Sequence, residues 1–159
     1  MRFKYILFVL PFLVFGSCKE EDPVSTNFVE LADDNFLIFG RLEGFCPAPC
    51  AYYYAIEENR LLLDMQQYET IYGGPFFVQS NSDFQIVKDL PDSVPSEMIL
   101  SPDTFYYGNP FIADGTVYKV VYKYNGVEKL WFMNEGDSIP QYAQDFIALM
   151  DERLGLLGR

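Results

Sequence analysis

The dipeptide Asn125-Gly126 limits the folds open to this chain more than any other feature, because it predicts a tight β-hairpin. A two-residue type I′ turn needs positive φ at both central positions, and Asn followed by Gly meets that need best. The predicted strands cover 116–124 and 127–133, and their register places Lys123 opposite Glu128. One face then carries Tyr118, Val120, Tyr122, Tyr124, Val127, Lys129, Trp131 and Met133. Both faces mix polar and apolar residues, so the pattern leaves open which of them packs inward.

An amphipathic helix is predicted after the hairpin. Ser138 and Gln141 have the spacing of a capping box, and Gly155 stands where a C′ glycine would end the helix. Apolar residues recur between them at helical spacing and form one stripe: Ile139, Tyr142, Phe146, Leu149, Met150 and Leu154. We expect this stripe to pack on the sheet.

The rest of the chain predicts further short elements. Strands are expected over 36–43, 51–57, 61–63 and 76–79, which are rich in aromatic and branched residues. Ser82 is the expected N-cap of a short helix that continues to Leu90. We expect 91–115 to be a long loop with one helical turn near 96–100. The predicted class is α+β: a small antiparallel sheet, a C-terminal helix packed on it, and one further short helix.

The N-terminus has the parts of an export signal. Arg2 and Lys4 precede an apolar run over 5–15, which is shorter than the roughly 20 residues of a membrane-spanning helix. Phe15-Gly16-Ser17-Cys18 resembles the lipobox of bacterial lipoproteins, although that family usually has Leu, Val or Ile in place of Phe15. The resemblance implies cleavage before Cys18, a diacylglycerol on its thiol, and acyl chains that hold the protein on a bilayer. The alternative is an ordinary secretory signal with an incidental cysteine.

The charged run Lys19-Glu20-Glu21-Asp22 follows the candidate lipidation site. It is similar to the surface-export signal of Bacteroidota lipoproteins, and it is equally well explained as a solvated tether. The expected organisation is a signal peptide over 1–17, a lipidated cysteine and acidic tether over 18–27, and one globular domain over 28–159. The expected location is the outer membrane, on its periplasmic face or at the cell surface.

Charge and histidine content exclude several classes of function. The chain has a net charge of −12, and loss of 1–17 would remove Arg2 and Lys4 but no acidic residue. Such a field repels phosphate backbones and anionic headgroups, so we expect no nucleic-acid partner. The chain contains no histidine, which removes Ser-His-Asp and Cys-His catalysis and histidine-ligated zinc. No catalytic residue, metal or cofactor is therefore expected.

Cys46 and Cys50 are the other two cysteines of the chain. In an oxidising compartment they favour a structural disulfide that closes a short, proline-containing loop. A redox-active pair is the weaker alternative because the spacing is not C-x-x-C. A zinc site is weaker still, since two cysteines without histidine supply half of the ligands.

Aromatic residues suggest a binding surface. The chain has 15 Phe, 12 Tyr and one Trp, and aromatic rings stack on sugars. Trp131 and Tyr122 are the candidate ligand contacts on the hairpin. The alternative, which we favour, is that these rings simply alternate between core and surface along their strands.

The order of these features resembles a group of small Bacteroidota lipoproteins whose motifs carry no assigned activity. The motifs are the lipobox, a strand ending in the stretch 40–46, a cysteine-containing loop, a strand running into the turn 58–60, the stretch 87–91, a hairpin ending in Leu130-Trp131-Phe132, and a tail over 139–147. The first functional hypothesis is a non-enzymatic, envelope-anchored interaction or accessory domain that contacts a protein or a ligand. The second is a surface lipoprotein that binds a glycan or nutrient. An enzyme ranks third because histidine is absent.

Overall fold

The computed structural model describes residues 28–32, 34–43, 51–64, 71–108, 115–134 and 139–158. These residues form one eight-stranded sheet with three α-helices, and the class is α+β. The strands are β1 (Phe28–Val29), β2 (Phe36–Glu43), β3 (Ala51–Glu57), β4 (Arg60–Asp64), β5 (Phe76–Val78), β6 (Thr104–Tyr107), β7 (Thr116–Tyr124) and β8 (Val127–Asn134). Their order across the sheet is β1-β5-β4-β3-β2-β7-β8-β6.

The sheet is larger than the small antiparallel sheet that the sequence predicts. Two of its strands, β1 and β6, were not expected, and β6 lies within the stretch 91–115 that was predicted to be a loop. β6 pairs in parallel with β8, so the sheet is mixed rather than antiparallel throughout. β1 has two residues and β6 has four, and strands this short do not show a periodic pattern in the sequence.

The hairpin of β7 and β8 has the predicted register. Asn125 and Gly126 have φ values of 52° and 79°, and Lys123 lies opposite Glu128. Each of its faces is buried in part. Tyr118, Val120, Trp131 and Met133 belong to the main core, whereas Val121 belongs to a smaller cluster on the other side.

The helices are α1 (Asn81–Val87), α2 (Ser96–Ile99) and α3 (Gln141–Leu156), with a 3-10 turn at Pro91–Ser93. The N-cap of α1 is Ser80 and not Ser82 as predicted, because the Ser80 hydroxyl accepts the Asp83 N–H at 3.1 Å. The helical turn expected near 96–100 is present as α2.

α3 carries the predicted apolar stripe, but it does not stop at Gly155. Ile139, Phe146, Met150 and Leu154 are buried, and Tyr142 and Leu149 pack at the margin of the core. The helix runs through Gly155 to Leu156, and Gly158, with a φ of 80°, occupies the C′ position instead. The helix begins at Gln141 with Pro140 as its N-cap, so the capping box predicted from Ser138 and Gln141 is wrong. Ser138 itself lies outside the described residues.

The two sides of the sheet differ in what covers them. We call the side that bears Leu37, Phe39 and Val120 the helix face, because α1, α2 and α3 enclose the main core against it. The opposite side, which bears Phe36, Ile38 and Val121, is called the far face here; part of it packs against the short strands β1 and β5.

An ion pair and a hydrogen bond join α3 to the sheet. Arg41 Nη1 on β2 lies 2.7 Å from Asp151 Oδ1 on α3, and the Tyr118 hydroxyl on β7 donates to Asp151 Oδ2 at 2.5 Å. One carboxylate on the helix thus receives donors from two adjacent strands. This fixes how α3 lies on the sheet.

The backbone of β3 leaves no room for a side chain at Gly40 on β2. A Cβ at this position would lie 1.9 Å from the carbonyl oxygen of Tyr52 and 2.8 Å from the Cα of Tyr53. The Tyr53 ring fills the space that a side chain would need, and Lys119 Nζ lies 5.0 Å from the centre of that ring. Only glycine fits this position in the middle of the sheet.

We predict opposite effects of alanine at two glycines. Gly40→Ala forces the β2 and β3 backbones apart and should lower the free energy of unfolding by about 3 kcal/mol or more. Gly155→Ala is the matched control: its Cβ meets nothing within 4 Å, and helix propensity should raise stability by about 0.5–1 kcal/mol. Urea denaturation followed by circular dichroism measures both. A Gly40→Ala variant as stable as the wild type would contradict this account of the sheet.

Candidate functional site

The far face holds an open pocket of about 620 Å³. Phe36 and Phe76 line it and are themselves buried, whereas Tyr72, Glu30 and Lys123 contribute more exposed side chains. Its volume lies within the range of small-molecule sites in proteins, roughly 300–1,000 Å³. The pocket is therefore large enough for a small ligand.

The segment 71–75 forms one wall of the pocket and is held by Asp64 at the end of β4. Asp64 is 2% exposed, and its Oδ1 accepts the Gly74 N–H at 3.0 Å. Gly73 has a φ of 74°, and a Cβ on it would lie 2.4 Å from Asp64 Oδ2. A residue with a side chain at position 73 would therefore break the fit between this segment and the sheet.

Residues 30–32 of the segment 28–32 form another wall, and Glu57 on β3 holds this segment. This carboxylate is 2% exposed, and it accepts the Ala32 N–H at 2.6 Å. Arg60 Nη2 lies 2.9 Å from its other oxygen and balances its charge. Both walls of the pocket thus depend on a buried carboxylate that accepts a backbone N–H.

Tyr72 reaches across the far face. Its hydroxyl donates to Glu128 Oε1 on β8, and its ring meets the ring of Phe36 edge to face with centroids 6.1 Å apart. The side chain is 41% exposed and also borders a second pocket of about 240 Å³. Tyr72 is therefore an accessible aromatic ring held in one place by a hydrogen bond and a ring contact.

Lys123 supplies the positive charge of the site. Its ammonium lies 5.6 Å from the centre of the Phe36 ring, within the range of a cation–π contact. Glu128 is opposite Lys123 in the strand register, but its carboxylate accepts the hydroxyl of Tyr72. Among the described residues, no carboxylate lies within ion-pair distance of Lys123.

Lys119 is a second lysine of the far face and has a different setting. It is 7% exposed and lies over the Tyr53 ring. Burial lowers the pKa of Lys119, and the nearby charge of Asp64 opposes that shift in part. Its ammonium is packed against an aromatic ring instead of being presented to solvent.

Trp131 is not the ligand contact on the hairpin that the sequence suggested. Its side chain is 0% exposed, and its indole N–H donates to Ser101 Oγ at 3.0 Å. A ring enclosed in the main core offers no surface to a ligand. Trp131 is a core residue whose polar atom is satisfied within the protein.

Tyr122 is half-buried on the helix face and packs against Tyr124 with ring centroids 4.8 Å apart. Burial raises the pKa of Tyr124 to about 12, which is consistent with an enclosed setting for this pair. The pocket lies on the opposite side of the sheet, so the structure does not bring Tyr122 to it. Cys18, Cys46 and Cys50 lie outside the described residues.

Three residues of the candidate site were not predicted from the sequence: Tyr72, Lys123 and Glu30. The break at Gly73-Gly74-Pro75 was visible, and it marks the segment that carries Tyr72. Nothing local indicates that this segment crosses the far face to meet β7 and β8. The site is made by contacts between stretches far apart in the chain.

Within the described ranges, no three Asp, Glu or Cys side chains are grouped so that they could hold a metal ion. No helix in the same ranges is long and apolar enough to cross a membrane.

Comparisons with known proteins place the chain in no group. No family model matches the sequence, and no curated protein or solved structure matches it either. The functional conclusion therefore depends on the geometry of the far-face pocket.

We predict that the bond to Glu128 controls the titration of Tyr72. The pKa of Tyr72 is raised above 10, first by this hydrogen bond and then by burial and the carboxylate charge. Since the folded-state pKa is the higher one, the bond stabilises the fold below pH 10 and is lost as the pH rises through that pKa. Glu128→Gln should move the pKa of Tyr72 down toward 10.

The measurement is a pH titration by NMR of protein labelled with ¹³C at the tyrosine ζ carbon, with Tyr72→Phe to assign the signal. Glu97→Gln is the control, because Glu97 lies on α2 and its carboxylate bonds to Ser96. An unchanged Tyr72 titration in Glu128→Gln would show that the carboxylate does not hold the hydroxyl.

Proposed function

We propose that this protein is a non-enzymatic lipoprotein of the cell envelope whose domain binds a small ligand in the far-face pocket. The observation that carries the proposal is the combination of a 620 Å³ pocket, the exposed ring of Tyr72 and the charge of Lys123. Ligand sites combine apolar walls with a few polar groups that orient the ligand, and this pocket has that composition.

A glycan or a small nutrient is the ligand class that we propose. The far-face pocket is open to solvent and offers one aromatic ring, Tyr72, against which a sugar ring can stack. Tyr72 therefore takes the place that the sequence analysis assigned to Trp131 and Tyr122. Anchoring through acyl chains on Cys18 would hold such a domain at the membrane surface.

An accessory role toward an envelope protein is the second candidate. One edge of the described sheet is β6, where Tyr106 is 48% exposed, and Leu100 just before this strand is 85% exposed. Exposed apolar side chains beside an edge strand are a common feature of protein-binding surfaces. A single crosslinked partner in intact cells, together with no glycan binding, would favour this candidate.

The anchor is tested by substitution of Cys18. Cys18→Ala removes the thiol that would carry the lipid, so the protein should lose incorporation of labelled palmitate and leave the membrane fraction. Cys46→Ala is the matched control and should stay labelled and membrane-bound. Labelled, membrane-bound Cys18→Ala protein would refute lipidation at this residue.

The pocket is tested by a glycan array and a panel of small nutrients. Tyr72→Ala should weaken binding of any ligand found by about tenfold, which is the value of one aromatic stacking contact. Tyr106→Ala removes an equally exposed tyrosine that stacks on Phe132 and should leave binding unchanged. Equal binding by wild type and Tyr72→Ala would move the ligand site away from this pocket.

A further inference from the structure

We propose that the far-face pocket selects a ligand that carries a single carboxylate, and that Lys123 is the residue that binds this carboxylate. The inference deepens the proposed function, because it takes the pocket to be a ligand site and names the chemistry of the ligand. It is carried by the surroundings of Lys123 and by the other charges that line the pocket.

Lys123 differs from most other described cations in its contacts. Arg41, Arg60, Lys129 and Arg153 each form an ion pair with a carboxylate. Lys123 instead lies over the ring of Phe36, and the carboxylate opposite it on β8 accepts the Tyr72 hydroxyl. In a chain with 23 acidic residues, a half-buried lysine without an acidic partner among the described residues is a charge still open to a bound anion.

The contact with Phe36 keeps this charge in the pocket. The ring attracts the ammonium and leaves it free to donate hydrogen bonds in other directions. Phe36 is 3% exposed and is fixed within the sheet. The position of the ammonium is thereby set before any ligand arrives, which lowers the cost of binding.

The charges around the pocket favour a monoanion. Lys123 is the one cation among the described residues that line it, and Glu30 lines it as well with an exposed carboxylate. A phosphate dianion would leave its second charge uncompensated beside Glu30, in a protein whose net charge is −12. A carboxylate needs one counter-charge, and a lysine supplies it as a compact point charge.

The apolar residues that line the pocket indicate the shape of the ligand outside its carboxylate. Tyr72, Leu31 and Pro75 present apolar surface at the mouth of the pocket, and they suit a ring with one apolar face. A uronic acid and an aromatic carboxylic acid share this chemistry. The experiment therefore includes both sources.

Binding is measured by isothermal titration calorimetry on the full-length lipoprotein in detergent micelles. The probes are galacturonate with its methyl ester, and 4-hydroxyphenylacetate with its amide. At least one of the two acids should bind about tenfold or more tightly than its neutral counterpart, as expected for one charge-assisted hydrogen bond. The acid that binds identifies the source of the ligand.

Variants then assign the preference to Lys123. Lys123→Met should reduce the affinity of the acid to that of its neutral counterpart, whereas Lys123→Arg should retain the preference. Lys88→Met is the control, because Lys88 lies at the end of α1 and bonds to Gln85. If thermal unfolding of Lys123→Met is unchanged, its lower affinity for the acid is not caused by a failure to fold. Lys123→Arg tests the role of the positive charge independently, because it should still prefer the acid to its neutral counterpart.

Three outcomes overturn the inference. If acid and neutral probes bind equally and Tyr72→Ala weakens both, the pocket is a ligand site but does not select carboxylates, and the proposed function stands. If none of the four probes binds, both the carboxylate preference and the assignment of the pocket to ring-shaped ligands fail. A preference for acids that survives in Lys123→Met would remove Lys123 from the site.

Discussion

The burial of both faces of β2 is the constraint on which the rest of the structure depends. Its residues 36–39 are all buried, although side chains along a strand point alternately to opposite faces. One face is covered by the helices α1, α2 and α3. The far face is covered in part by the segments 28–32 and 71–75. A cover of this kind protects the apolar residues of β2 and leaves a pocket between its two parts.

The irregular cover is possible because two buried carboxylates hold it. Backbone N–H groups outside regular structure need acceptors when they are removed from water. Glu57 accepts from Ala32 and Asp64 accepts from Gly74, so each carboxylate satisfies a backbone donor of one wall. Such bonds to charged acceptors are stronger than neutral ones, and they also set the separation of the walls. The dimensions of the pocket therefore depend on residues that also serve the fold.

The predictions that succeeded concern features whose cause is local. The φ requirement of Asn125-Gly126 sets the hairpin register, and helical spacing identifies the buried face of α3. The failures have a different physical origin. β6 gains its place from pairing with β8, and the role of Tyr72 comes from a contact with Glu128 across the sheet. Trp131 remained a candidate ligand contact because the hairpin pattern left the inward face undecided, and only the packing of the helices decides it.

The chain is acidic and the described pocket lining has one cation, so a carboxylate ligand would be recognised at short range. A net charge of −12 does not attract anions over long distances, so electrostatic steering would not accelerate encounter. Lys123 acts only at contact, where the ligand also displaces water from Tyr72 and the apolar rim. Selectivity for the acid would then arise from its slower dissociation, because the affinities of related ligands differ mainly in their dissociation rates. A site of this kind retains the right acid after it enters and releases others quickly, and the acidic surface keeps polyanions away from it.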